Sequence, residues 1–66
     1  MQIMVNGQER TLEAPVTVAA LLHQLGVQGQ RVAVEVNLEI VPRSRHAEVE
    51  LHDHDQVEVV YAIGGG

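Results

Sequence analysis

The stretch Met1-Gln2-Ile3-Met4-Val5-Asn6-Gly7 decides the fold of this 66-residue chain. Met1, Ile3 and Val5 alternate with Gln2 and Met4, the period-two pattern of a strand with one buried face. Asn6-Gly7 then supplies two residues that tolerate positive φ, the strongest short hairpin signal. Gln8 to Glu13 is the returning strand, polar enough to lie near a sheet edge. Ala14-Pro15 breaks the pattern, and Thr17 stands where a helix N-cap is needed. Val18, Leu21, Leu22 and Leu25 follow at the i, i+3, i+4, i+7 spacing of a helix, which Gly26 ends.

Alternation resumes from Arg31 to Asn37, with Val32, Val34 and Val36 on one face. Asn37-Leu38-Glu39 reads as a turn into a brief strand at Ile40-Val41, stopped by Pro42. Residues 42–48 suggest a single helical turn, residues 48–51 a short extended piece, and His52-Asp53-His54-Asp55 a polar turn. Gln56 to Ile63 is the best strand, with Val57, Val59, Tyr61 and Ile63 on one face. Strand, strand, helix, strand, short strand, strand is the order of the β-grasp arrangement. It predicts an α+β domain whose mixed sheet of four or five strands packs one face on the helix.

Composition bounds what such a domain does. The length allows one domain with a small core, expected over residues 1–63. The core is aliphatic: there is no Phe or Trp and one Tyr. With no cysteine, the chain has no thiol nucleophile, thiolate ligand or disulfide. Nine acids against four bases, all arginine, give a net charge of −5, a poor match to nucleic acid. The longest apolar run, around Val18 to Leu22, falls far short of a membrane span. No signal-peptide pattern opens the sequence, so the expected location is the cytoplasm.

The end of the sequence is different in kind. Gly64-Gly65-Gly66 carries no side chain to pack, and glycine ends are commonly frayed chain. A segment without Cβ atoms also threads a narrow channel and lets its backbone approach a bound nucleotide closely. What it then presents is a carboxylate, reactive only if another enzyme activates it.

These residues together resemble a known family. A β-grasp domain opening Met1-Gln2-Ile3 and ending Ala62-Ile63-Gly64-Gly65-Gly66 is similar to the ubiquitin-like sulfur carriers, and more narrowly to those of thiamin biosynthesis. The resemblance extends through Val16-Thr17-Val18 before Leu21-Leu22, Val34-Glu35-Val36-Asn37, Glu39-Ile40-Val41-Pro42-Arg43 and Asp53-His54-Asp55. It implies that an adenylyltransferase related to ubiquitin-activating enzymes uses ATP to adenylate Gly66. A persulfide sulfur from a partner protein then displaces AMP to leave a thiocarboxylate, which thiazole synthase consumes. The chain would be a protein cosubstrate, not a catalyst, with no cofactor of its own and Gly64 and Gly65 as its reactive tail.

The residues agree with that implication at one point. Without cysteine the chain cannot hold sulfur as its own persulfide, so a C-terminal carboxylate is the remaining place for it. The absence of lysine removes amines that would attack an acyl-adenylate, although an arginine-rich genome explains it equally well.

Two further sets of residues invite attention. If Ile3 and Val5 face the helix, Met4 points outward; if Val57, Val59 and Tyr61 do, Val60 and Ala62 point outward beside it. Met4, Val60 and Ala62 are therefore the expected docking patch, against the alternative of ordinary surface. His52 and His54 alternate as metal ligands would, but without a third ligand the pair reads as a solvated turn. His23 is expected at the surface, and His46 stands alone.

Three other functions remain open. The small subunit of molybdopterin synthase also ends Gly-Gly on a β-grasp domain, but is longer and richer in aromatics near its tail. A protein modifier would join Gly66 to lysines of targets. A non-reactive interaction domain would make no use of the tail.

Overall fold

The computed structural model describes residues 1–27 and 30–61. Five strands form one sheet: β1 (Gln2–Val5), β2 (Gln8–Thr11), β3 (Val32–Val36), β4 (Glu39–Val41) and β5 (Gln56–Tyr61). Their spatial order is β2-β1-β5-β3-β4. β1 and β5 run parallel, and every other pair is antiparallel. One helix, α1 (Val18–Gln24), joins the first hairpin to β3, and one 3-10 turn (Arg43–Arg45) follows β4. This is the expected α+β, β-grasp arrangement, with five strands rather than four.

Asn6 and Gly7 take φ of 50° and 80°, so the hairpin turn forms as its two residue types allow. α1 spans only two turns and is held by its cap and its packing. The Thr17 hydroxyl accepts a hydrogen bond from the Ala20 N–H at 3.1 Å. Val18 and Leu21 are wholly buried against Ile3, Val34 and Val57. Each such aliphatic side chain contributes about 1.5–3 kcal/mol on leaving water. Gly26, at φ 75°, turns the chain out of the helix.

Several expectations shift. β2 stops at Thr11 rather than Glu13, because Leu12 turns into the core. The extended piece near residue 50 is only an isolated bridge between Thr17 and Glu50. Tyr61, expected on the helix face, is 42% exposed at the end of β5, past the cover that α1 gives Val57 and Val59. Ala62 and Ile63, expected to continue β5, lie outside the described residues. His46 does not stand alone: it is buried, and its Nε2 donates to the Val41 carbonyl at 3.1 Å. His23 is exposed, as expected. No helix among the described residues is long and apolar enough to cross a membrane.

Candidate functional site

Strand registry places each candidate residue. Met4 lies opposite Gln56 in the parallel pair and opposite Glu9 in the first hairpin. Val60 lies opposite Ala33, and Glu58 opposite Glu35. Because Ile3, Val5, Val57 and Val59 are buried against the helix, Met4, Glu58 and Val60 occupy the other, outer face. The expected assignment of Met4 and Val60 to that face holds. Their clustering does not follow. Val60 lies four positions along β5 from Gln56, a span of roughly 13 Å.

The reason is a short β1. Its backbone pairing with β5 is confined to Met4–Gln56 and Val5–Val57. Beyond it the Asn6 side chain takes over: Oδ1 accepts from the Val59 N–H at 2.8 Å, and Nδ2 donates to the Val59 carbonyl at 3.1 Å. Val60 consequently has no β1 neighbour and stands 56% exposed. Ala62 and the tail residues Gly64, Gly65 and Gly66 lie outside the described residues.

Met4 finds different apolar company. Met4, Leu38, Gln56 and Glu58 help line a cleft of about 430 Å3 on the outer face. Leu38 is 86% exposed and Ile40 74%, the most exposed large apolar side chains among the described residues. Ile40 lies opposite Glu35, which puts it on the outer face beside that carboxylate. Neither was singled out from sequence. The signal was present in the pairing of Ile40 with an outward glutamate, since Val41 next to it is buried opposite Val34.

The His52–Asp55 segment is built for structure. Asp55 is buried and accepts from the His52 N–H at 2.7 Å and from Asn37 Nδ2 at 2.9 Å. Asp53 accepts from the Gln2 N–H at 2.7 Å, and that bond holds its carboxyl below the usual carboxylate range. His54 Nε2 lies 3.3 Å from Asp53, and His52 Nδ1 4.0 Å from Asp55. Among the described residues, no group of three or more side chains is arranged to hold a metal ion. The turn ties the start of β5 to β1 and to the Asn37 turn.

Three known proteins bear on what this arrangement serves. The thiazole synthase of Paramagnetospirillum magneticum is 53% identical over all 66 residues, which span only 20% of that protein. The chain thus corresponds to about one fifth of that relative's length. The sulfur carrier protein ThiS of Escherichia coli is 38% identical over the full length of both chains. The crystal structure of the thiamine biosynthesis protein ThiS from Geobacter metallireducens superposes over the whole of both chains with a TM-score of 0.84 at 36% identity. A family match that runs from residue 3 to residue 66, on a β-grasp sheet that superposes on that structure, shows that the chain belongs to the ThiS family.

Proposed function

We propose that this chain is a sulfur carrier for the thiazole moiety of thiamin and that the sulfur rides on the carboxyl group of Gly66. The observation that carries the reading is that the family match continues through residue 66, so it includes the triple-glycine end. The sulfur carrier protein of Escherichia coli, aligned over the whole chain, supports it. So does the lack of any cysteine that would carry sulfur instead.

The chemistry belongs to partner enzymes. A carboxylate oxygen of Gly66 attacks the α-phosphorus of ATP on an adenylyltransferase, and pyrophosphate leaves. The terminal sulfur of a protein persulfide attacks the acyl carbon of the adenylate, expelling AMP and forming an acyl disulfide. A thiol then cleaves that S–S bond, becoming a disulfide as it releases the thiocarboxylate. The thiocarboxylate is handed to thiazole synthase. The cytoplasm supplies the ATP and reducing thiols that these steps use. The outer sheet face, with Val60, Met4 and the more exposed Leu38 and Ile40, is the docking surface, and Ala62, outside the described residues, acts with it.

Carrier-dependent exchange of pyrophosphate into ATP by the adenylyltransferase tests the first step. The native chain should support exchange. Gly65→Val should not, because a Cβ obstructs the close approach of backbone to nucleotide. A one-residue extension after Gly66 should fail as well, since it displaces the carboxylate. Undiminished exchange in both variants would sink the reading.

A further inference from the structure

Arg31 and Arg43 come from separate places, the residue before β3 and the 3-10 turn after β4, yet both line one shallow cavity of about 400 Å3. Val60 and Tyr61 form its remaining edge, with Val32 and Ala33. Tyr61 pairs with Val32, so Arg31 stands one residue beyond the last pair of the β3–β5 ladder. The cavity therefore sits where β5 gives way to residues 62–66.

The charge there is opposite to that of the molecule. The chain carries nine acids and four bases, yet among the described residues no carboxylate lines this cavity. Arg45 pairs with Glu48 at 3.5 Å, whereas neither Arg31 nor Arg43 takes part in an ion pair among the described residues. Two guanidinium groups brought to one cavity repel each other, and an anion between them relieves the repulsion. A guanidinium fork fits a carboxylate in bidentate fashion.

Reach then identifies the source of the anion. Five residues follow Tyr61, so Gly66 lies at most about 18 Å from it along a fully extended chain. An enzyme that closes on Gly66 therefore works within reach of the cavity. We infer that Arg31 and Arg43 clamp a carboxylate side chain of the activating enzyme at the mouth of the channel that receives residues 62–66. The inference rests on the carrier reading. The clamp fixes how the acidic domain is oriented as its tail enters; complementary charges at an interface set register and association rate in this way.

The test is steady-state adenylation with the partner enzyme, comparing the native chain, Arg31→Glu/Arg43→Glu, Arg31→Lys/Arg43→Lys and a control, Arg10→Glu, on the far hairpin. The double reversal should raise KM for the carrier on the order of tenfold or more, with a weaker salt dependence. Its kcat at saturating carrier, the KM for ATP and the melting curve should not move. The lysine pair should recover most of the affinity, and Arg10→Glu should match the native chain. If the reversal destabilises the fold, Arg31→Gln/Arg43→Gln replaces it, with a smaller rise in KM expected. An unchanged carrier KM overturns the clamp. So does a fall in kcat or a rise in KM for ATP, which would place the arginines on the nucleotide. A native chain that is not adenylated at all overturns the carrier reading and the clamp together; normal native adenylation with no effect of reversal overturns the clamp alone.

Discussion

Asn6 pairs with Val59 as a strand residue would, through its side chain: the carboxamide accepts from the Val59 N–H at 2.8 Å and donates to the Val59 carbonyl at 3.1 Å. One residue thus does two jobs, forming the hairpin turn at φ 50° and prolonging the contact between β1 and β5. Asn6→Gly keeps the backbone free to adopt that φ and removes both bonds. It should cost about 1–3 kcal/mol. Each kcal/mol lowers the melting temperature of so small a domain by roughly 4–8 °C. An unchanged melting curve would mean that Val59 is satisfied without Asn6.

Leu38 combines two costs. It is 86% exposed and sits at φ 70°, in the left-handed region that glycine and asparagine occupy without strain. Strain of this kind collects where function needs it. Leu38→Gly should stabilise the domain by roughly 0.5–1 kcal/mol, seen as a higher melting temperature. It should also weaken binding to the partner enzyme. A stabilised variant that binds normally would remove Leu38 from the docking surface.

Val60 stands 56% exposed on the outer face, opposite Ala33. Val60→Asp should therefore leave melting nearly unchanged. Binding to the adenylyltransferase should fall by about 2 kcal/mol, roughly 30-fold, because the charge is desolvated without a partner. Loss of stability on the scale of the binding loss would show that Val60 is core.

Asp53 links stability to acid. The Gln2 N–H bond lowers its folded pKa below the unfolded value of roughly 3.9. The stabilisation is complete above the unfolded value and fades as pH falls through the folded one. Asp53→Asn should lower the urea midpoint at pH 7, and the gap from the native chain should close in strong acid. A gap that persists there would assign it to something other than ionisation.

Much of the fold was legible because its signals are local. Asn6-Gly7 encodes a turn that forms in place, and Thr17 with Val18, Leu21 and Leu22 encodes a capped helix with one apolar stripe. Long-range registry was less legible. The outward direction of Met4 and Val60 follows from alternation, but their separation depends on where β1 stops, and a side-chain bond from Asn6 decides that. Alternation likewise put Tyr61 inward, without saying how far α1 extends over β5. Asp55 looked like turn surface, yet it is buried because Asn37 and the His52 N–H satisfy its carboxylate. Leu38 in a left-handed turn runs against every propensity, and the Arg31–Arg43 cavity joins residues twelve apart in sequence.

The central claim concerns the chemical state of Gly66, and intact-protein mass spectrometry reads it most directly. The full chain would be incubated with its adenylyltransferase, ATP, a persulfide donor and a reducing thiol, then weighed and fragmented. The account predicts a mass gain equal to the exchange of one oxygen for one sulfur, located on Gly66 and absent when ATP is withheld. An unaltered mass, sulfur on any other residue, or attachment of Gly66 to a lysine of another protein would contradict it.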